Sequence, residues 1–225
     1  MRFGALGDIH GDFDSVRRIL RRHPEAPFWL CVGDVADASG GYEPVERPLH
    51  WIKGNNEHFD AIAAGDLPAG HHVIPNGAVV EIGGLRVAGL GGTFAPTWYD
   101  TPAGDLPHPQ KGTAKATAAA DKRRHFVREE VDACRRLERV DVLLTHEAAS
   151  PFRPFPGGRG PDAGKAAVSD VLAAMRPRLH LFGHHHRFSE QVVAGVRSVG
   201  LDLVSRSYLL IEPGDMRYDV RATPA

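Results

Sequence analysis

The sequence predicts an α/β protein with two β-sheets, at least one of them mixed. Short apolar runs alternate with helical patterns near the start of the chain and again after residue 140, which is typical of parallel strands joined by helices. Other segments alternate apolar and polar residues or meet at a Gly-Gly pair, which indicates antiparallel pairing. Because the chain has 225 residues, 42% of them hydrophobic, we expect one globular domain over residues 1–225.

Five short runs have the composition of strands buried on both faces. Each is too short for a helix and is apolar at most positions. They cover residues 2–6, 28–32, 49–52, 140–144 and 179–182. We therefore expect these runs to form the inner strands of the sheets.

Three helices are predicted around these strands. The first has Asp12 as its N-cap and ends before Pro24. Its apolar stripe consists of Phe13, Val16, Ile19 and Leu20. The second covers residues 121–139, with the apolar stripe Val127, Val131, Cys134 and Leu137. The third covers residues 166–175 and stops before Pro177.

The remaining segments predict antiparallel strands and two long loops. A hairpin is expected where residues 79–82 and 85–90 flank Gly83-Gly84. Alternating patterns predict antiparallel strands at residues 191–199, 207–211 and 216–220. Residues 93–120 and 148–164 are rich in turn formers, and such long loops serve either as lids and substrate-binding segments or as solvated insertions.

Charge and cysteine content narrow the classes of function. The 27 Lys and Arg residues against 28 Asp and Glu give a net charge of -1, so nucleic acid is not indicated as a partner, although a local basic patch stays open. Cys31 and Cys134 are isolated, which fits a reducing compartment. No apolar run approaches the roughly 18 residues of a membrane span, and no secretory signal is evident. We therefore expect a cytoplasmic protein without a membrane partner.

A polar cluster follows each of the five apolar runs. The clusters contain Gly7-Asp8, Gly33-Asp34, Gly54-Asn55, Thr145-His146 and Gly183-His184. Taken singly, such a cluster is as typical of a turn or a helix cap as of a site. Because ligands of open α/β sheets bind at the carboxyl ends of the strands, five clusters in this position predict one shared crevice.

Seven residues of these clusters offer ligand atoms for a metal. They are Asp8, His10, Asp34, Asn55, His146, His184 and His186. Carboxylate, amide and imidazole groups together suit Mn, Fe or Zn, whereas Ca²⁺ takes more oxygen ligands. The set exceeds the roughly three or four protein ligands of one catalytic zinc. We therefore expect two divalent cations that share a carboxylate.

The ordered set of motifs resembles the calcineurin-like metallophosphoesterases. The motifs of that family run Asp-x-His, Gly-Asp-x-x-Asp, Gly-Asn-His-Asp/Glu, a single His and Gly-His-x-His. Here they stand as Asp8-x-His10, Gly33-Asp34-x-x-Asp37, Gly54-Asn55-Asn56-Glu57, His146 and Gly183-His184-x-His186. The resemblance implies a four-layer α-β-β-α sandwich of two sheets flanked by helices, and hydrolysis of a phosphate ester.

The resemblance also implies a set of ligands for each cation. The first set would be Asp8, His10, Asp34 and His186. The second would be Asp34, Asn55, His146 and His184. Asp34 would bridge the two cations, and Asp37 would support the ligands from behind. With Mn as the most expected metal, a hydroxide held between the cations would attack phosphorus, and no protein nucleophile would be needed.

One position departs from the pattern of the family. The family usually has a His after the motif Asn, where it contacts the phosphate and protonates the leaving group, but here the residue is Asn56. An amide can bind a phosphoryl oxygen but cannot supply a proton to an alkoxide. We therefore expect substrates with poor leaving groups to suffer most. His58 and His72 are alternative acids.

Several interpretations of the substrate stay open. A looser likeness to RNA lariat debranching enzymes runs from Gly54 through the hairpin to His146, but small phosphodiesterases and phosphatases of the family fit equally well. A phosphodiester is the favoured substrate class, with a phosphomonoester or a protein or nucleotide phosphatase as the alternative. In a different class, the chain would be a weakly catalytic, metal-binding scaffold. Arg153 and Arg159 are candidates for binding the substrate's phosphate, although solvated loop arginines fit the same positions. The oligomeric state cannot be read from the sequence.

Overall fold

A computed structural model of the chain describes residues 2–109, 120–154 and 160–225, which form two stacked six-stranded sheets, a short strand pair and four helices. The strands are β1 (Phe3–Leu6), β2 (Trp29–Cys31), β3 (Leu49–Trp51), β4 (His71–Val73), β5 (Val79–Ile82), β6 (Leu85–Leu90), β7 (Thr93–Phe94), β8 (His125–Phe126), β9 (Val142–Thr145), β10 (Leu179–Phe182), β11 (Ser189–Val193), β12 (Val196–Gly200), β13 (Ser207–Ile211) and β14 (Tyr218–Ala222). The helices are α1 (Phe13–Arg22), α2 (Phe59–Ala64), α3 (Arg128–Arg135) and α4 (Ala166–Met175). None of these helices is long and apolar enough to cross a membrane.

Both sheets are mixed, and in each sheet the parallel strands lie next to one another. Sheet 1 has the order β14-β13-β1-β2-β3-β4, in which β1 to β4 are parallel and β13 is antiparallel to both of its neighbours. Sheet 2 has the order β11-β12-β10-β9-β6-β5, with parallel inner strands and antiparallel edges. The carboxyl ends of β1, β2, β3, β9 and β10 carry the polar clusters found in the sequence.

Three apolar layers hold the stack together. Between the sheets lie side chains such as Leu30 and Leu144. Val16 and Ile19 of α1 pack on the outer face of sheet 1, while Val168 of α4 packs on sheet 2. Since helices cover the outer faces of both sheets, the predicted four-layer α-β-β-α sandwich is confirmed.

Helix α1 forms where its apolar spacing predicts it. The Asp12 carboxylate accepts a hydrogen bond from the backbone N–H of Ser15 at 3.1 Å, which caps the first turn. Arg21 and Arg22 occupy the last turn, where their charge suits the helix dipole. The predicted stripe is buried.

The second predicted helix is wrong in its extent. Instead of residues 121–139, α3 covers Arg128–Arg135, and a 3-10 turn at Lys122–Arg124 and strand β8 precede it. Strand β8 pairs with β7, and Phe126 is fully buried there. The Glu130 carboxylate accepts from the N–H of Val127 at 3.0 Å, which fixes the start of the helix later than the apolar spacing suggests.

The C-terminal region and the loops also differ from expectation. The segment 191–199 is a hairpin of β11 and β12 rather than one strand, because Ala194 and Gly195 turn with positive φ angles of 52° and 79°. Strands β13 and β14 are antiparallel, as predicted. The described part of the predicted loop 93–120 is not structureless, since it begins with β7 and includes a 3-10 turn at Ala103–Asp105. Residues 110–119 of that loop lie outside the described residues.

Candidate metal centre

All seven predicted ligands follow parallel strands of the two sheets. Asp8 and His10 follow β1, Asp34 follows β2, Asn55 follows β3, His146 follows β9, and His184 and His186 follow β10. Sheet 1 therefore supplies one side of the site and sheet 2 the other. This placement arises because each apolar strand ends in a short loop that points its polar side chains into one crevice.

The first group of ligands is formed by Asp8, His10 and His186. One ligand atom from each of them lies within 4.8 Å of the others. The Nε2 atom of His186 is 3.0 Å from Oδ2 of Asp8 and 3.1 Å from Nε2 of His10. Oδ2 of Asp34 lies 3.7 Å from the same His10 nitrogen, so the predicted first set converges.

The second group is formed around His146. Ligand atoms of Asp8, Asp34 and His146 lie within 4.8 Å of one another. Nε2 of His146 is 3.0 Å from Oδ1 of Asn55 and 3.6 Å from Oδ1 of Asp34. The ring of His184 lies 5.0 Å from the His146 ring, centroid to centroid, so His184 borders this group, although its ring nitrogens are not among the converging ligand atoms.

Hydrogen bonds with backbone groups orient two of these side chains. Nδ1 of His146 donates to the carbonyl of Val32 at 2.8 Å, which turns the Nε2 lone pair toward Asp34 and Asn55. The N–H of His184 donates to both carboxylate oxygens of Asp8, at 3.2 and 3.1 Å. The His146 ring and the Asp8 carboxylate are therefore held in the orientation that a metal ligand needs.

The electrostatics of the site suit a divalent cation. Asp8 and Asp34 are each only 1% exposed. Burial alone would raise the pKa of Asp34, but the charge of His146 and hydrogen bonds from Asn56 outweigh it and lower the pKa. Burial and the neighbouring His146 lower the pKa of His184 to about 4, so its imidazole is neutral at pH 7. Buried carboxylates and a neutral imidazole are the donor types that such cations take.

Close backbone approach makes the ligand loops intolerant of change. A Cβ atom on Gly54 would lie 2.0 Å from Oδ1 of Asp34, and one on Gly183 would lie 2.3 Å from Oδ1 of Asp8. His10, Asp34, His184 and His186 all have positive φ angles. Non-glycine residues with positive φ concentrate at functional sites, where surrounding contacts hold the strain.

Glu57 is a residue to which the sequence assigned no role. Its buried carboxylate accepts from the N–H groups of Val35 and Ala36 at 3.0 and 3.2 Å, and from that of Gly54 at 3.2 Å. The Tyr42 hydroxyl donates to it at 3.0 Å. Burial, together with the charge of Asp34, raises the pKa of Glu57 to about 7. Glu57 thus links the loop that carries Asp34 to the loop that carries Asn55. In the sequence, the only indication of this role was that Glu57 stands at the end of the motif Gly54-Asn55-Asn56-Glu57.

Asp37 and Asn56 have different surroundings from each other. Asp37 is exposed and accepts from the N–H groups of Ser39 and Gly41 at 2.7 and 2.8 Å, so it shapes its own loop beside the site. Asn56 is also exposed, but its backbone N–H donates to Oδ1 of Asp34 at 2.8 Å and its Nδ2 donates to Oδ2 at 2.9 Å. Asn56 therefore contacts both oxygens of the Asp34 carboxylate, which lies near His10 of the first group and His146 of the second.

The other sequence candidates make their contacts with residues outside the two ligand groups. His72 stacks on His50, with ring centroids 4.7 Å apart, on edge strand β4. His58, in the loop after β3, is exposed and lies beside Gly40 of the loop after β2. Arg153 is exposed and donates to the carbonyl of Gly160 at 2.9 Å, within its own loop. Arg159 lies outside the described residues.

Comparison with known proteins identifies relatives. Over 202 residues the chain is 25% identical to a lariat debranching enzyme of Schizosaccharomyces pombe, covering 79% of this chain but 42% of that enzyme, so it spans less than half of that relative. Over 197 residues it is 23% identical to an uncharacterised protein of Haemophilus influenzae, covering 80% and 81% of the two chains. The crystal structure of TT1561 of Thermus thermophilus shares the fold, with a TM-score of 0.63 and 13% identity over 99% of both chains.

The family assignment rests on a match that covers most of the chain. The model of the calcineurin-like phosphoesterases matches residues 1–188, which include every motif quoted above. Members of that family are metal-dependent, and the converging carboxylates and imidazoles described here provide ligand groups for a metal. The chain belongs to the calcineurin-like phosphoesterase family and is a metal-dependent hydrolase of phosphoester bonds.

Proposed function

We propose that the chain is a phosphodiesterase that works with two divalent cations, with Mn²⁺ as the favoured metal and Fe or Zn as alternatives. The position of Asp34 carries this proposal. Its Oδ1 lies 3.6 Å from Nε2 of His146, and its Oδ2 lies 3.7 Å from Nε2 of His10. One carboxylate therefore reaches both ligand groups, which supports a bridge between two ions.

Each residue of the site has a distinct part in the proposed reaction. When bound, the cations would supply Lewis acidity and would lower the pKa of the attacking water. The carbonyl of Val32 and the N–H of His184 keep His146 and Asp8 in place. Asn56 gives one amide N–H to Asp34 and has a second N–H, which we assign to a phosphoryl oxygen of the substrate.

The preference for a diester is supported by charge. Two cationic side chains near the ligand-bearing loops are paired: Lys165 lies 3.6 Å from Glu147, and Arg206 lies 3.2 Å from Asp202. Arg187, next to His186, donates to the carbonyl of Pro154 and has no carboxylate partner among the described residues. A phosphodiester has one negative charge, whereas a monoester at neutral pH has up to two. One unpaired cation therefore suits the diester better, and the name of the lariat debranching relative supports the same class.

Further assignments complete the proposal. Arg153, which donates to the carbonyl of Gly160, is the described candidate for contacting the substrate, and Arg159, the second candidate, lies outside the described residues. We propose a single catalytic domain over residues 1–225. A cytoplasmic location is supported by Cys31 and Cys134, which are both buried and unpaired.

The deciding experiment is Mn²⁺-dependent hydrolysis of bis-p-nitrophenyl phosphate, compared with p-nitrophenyl phosphate. Wild-type protein should hydrolyse the diester faster, and Asp34→Asn should lose both the activity and at least one bound ion. Full activity and two ions in Asp34→Asn would contradict the bridging assignment. Faster hydrolysis of the monoester would point to a phosphomonoesterase, and bound metal without turnover of either would point to a scaffold.

A nucleic-acid substrate is a separate outcome of the same proposal. The net charge of -1 gives no general attraction to RNA or DNA. An electrophoretic shift at low salt that weakens as salt is added would establish such a substrate class. No shift at low salt would restrict the proposal to small phosphodiesters.

A further inference from the structure

Asp34 receives two hydrogen bonds from a single residue. The backbone N–H of Asn56 donates to Oδ1 at 2.8 Å, and the side-chain Nδ2 donates to Oδ2 at 2.9 Å. The two bonds close a ring between the two residues, so they fix the carboxylate plane of Asp34 as well as its position. Without them that plane would be loosely held, because the carboxylate torsion is broad when left free.

The two oxygens of Asp34 face different ligand groups. Oδ1 lies on the side of His146, and Oδ2 lies on the side of His10. Each carboxylate oxygen accepts about two bonds. Because Asn56 takes one on each oxygen, each oxygen has one left, directed to its own ligand group. If the carboxylate rotated by a quarter turn, its two oxygens would no longer each face their own ligand group.

The backbone of Asp34 cannot compensate for such a rotation. Its φ angle is 50°, a conformation that non-glycine residues adopt only where contacts enforce it. Gly54 packs so closely on Asp34 that an added Cβ would lie 2.2 Å from the Asp34 nitrogen. With the backbone held this tightly, the carboxylate torsion is the remaining freedom.

From these contacts we infer that Asn56 is a positioning residue, which holds Asp34 so that one oxygen serves each ligand group. The inference rests on the two-cation site proposed above. It adds an explanation of how this chain holds the bridging Asp34 carboxylate in the orientation that both cations need. It assigns the Asn at this position a task of its own, distinct from its proposed contact with substrate.

The test measures metal binding rather than turnover. Asn56→Leu keeps the size of the side chain and the backbone N–H but removes the amide donor. Loss of a hydrogen-bond partner behind a metal ligand costs roughly 10- to 100-fold in metal affinity. We therefore expect calorimetric titration of the metal-free full chain to show Mn²⁺ affinity weakened about tenfold or more, and the exchange coupling between paired Mn²⁺ ions in the electron paramagnetic resonance spectrum to change.

His58→Leu is the matched control. It alters an exposed side chain two positions along the same loop, one whose side chain makes no contact with Asp34 among the described residues. Its Mn²⁺ affinity should equal that of the wild type. Asn56→Ala should repeat the result of Asn56→Leu without an added apolar side chain.

Two results separate the failure of this inference from that of the proposed function. If wild-type protein binds two ions and Asn56→Leu binds them as tightly or more tightly with unchanged coupling, the positioning role is refuted while the two-cation site stands. If wild-type protein binds fewer than two ions, the two-cation proposal itself fails, and this inference fails with it.

Discussion

Asn56 is the residue at which this chain departs most clearly from its family, and its chemistry limits the leaving group. Asn56→His should raise kcat for diesters with poor, alkoxide leaving groups, because an imidazolium can donate the proton that an amide cannot. We expect a gain of about tenfold, a fraction of what a well-placed general acid provides. The measurement is kcat at saturating Mn²⁺, so that weakened metal binding does not mask the gain.

The comparison substrate for Asn56→His is bis-p-nitrophenyl phosphate. Its p-nitrophenolate departs without protonation, so its kcat should change little. An equal gain on both substrates would show that the new His acts on something other than the leaving group. His58→Ala in the wild-type background tests the remaining acid candidate, and it should leave the ratio of the two rates unchanged.

The buried Glu57 carboxylate is predicted to stabilise the folded protein around the site. Glu57→Leu would leave the buried N–H groups of Val35, Ala36 and Gly54 without their acceptor. Each such group costs about 1–3 kcal/mol, so the variant should lose several kcal/mol of unfolding free energy in urea. Asp37→Leu is the control, since its partners Ser39 and Gly41 lie at the surface and water replaces the lost bonds. Equal losses in the two variants would contradict the explanation.

The positions of the candidate ligands at the strand ends could be predicted from the sequence, whereas the contacts that support them could not. Asp8, His146 and His184 each follow an apolar strand, and local pattern is enough to find them. The role of Glu57 depends on contacts across 22 positions, to Val35, which local pattern does not encode. The same applies to Asn56, whose bonds to Asp34 exist only because two strand-end loops meet.

At the scale of elements, the buried parallel strands were predictable and the short paired ones were not. Strand β10 lies at its predicted residues, Leu179–Phe182, and all four of them are buried. So short an apolar run is compatible with a buried strand but not with a helix. Strands β7 and β8 have two residues each and exist through their pairing with each other, 32 positions apart at Thr93 and His125. Helix α2 has six residues and little periodicity to detect.

A buried histidine joins three strands of sheet 2 and predicts a pH dependence. His180 on β10 is fully buried and bonds Thr145 on β9 at 2.8 Å and the Ser198 hydroxyl on β12. Burial lowers its pKa to about 3. Between that value and the ordinary pKa near 6.5, the unfolded chain binds a proton that the folded chain does not. Stability should therefore fall as the pH drops below about 6.5, by about 2 kcal/mol at pH 5.

His180→Gln isolates this contribution. The amide can keep hydrogen bonds to the two hydroxyls but does not titrate. The variant should be less stable than the wild type at pH 8, and the gap should narrow by about 2 kcal/mol by pH 5. Urea unfolding of metal-free protein at both pH values provides the measurement. A gap that stays constant would mean that His180 is protonated in the folded state or does not contribute.

At the scale of the whole molecule, the candidate site lies at the boundary between the two sheets. Asp8, Asp34 and Asn55 come from sheet 1, while His146, His184 and His186 come from sheet 2. Between the sheets lie mainly apolar contacts such as those of Leu30 and Leu144, with a few polar ones such as Tyr218 of β14 to Glu190 of β11. A cation held by both groups would therefore link the two sheets, and its binding energy would oppose their separation.

Metal should accordingly stabilise the fold and not only the reaction. A ligand at 100 times its Kd adds about 2.7 kcal/mol to the unfolding free energy, so Mn²⁺ should raise the Tm of wild-type protein and a chelator should reverse the gain. Variants from opposite sheets, Asp34→Asn and His146→Gln, should each lose most of that gain, whereas His72→Gln, on edge strand β4, should keep it. If either ligand variant kept the full Mn²⁺-induced rise in Tm, the metal would be binding elsewhere, and the two sheets would not be linked through this site.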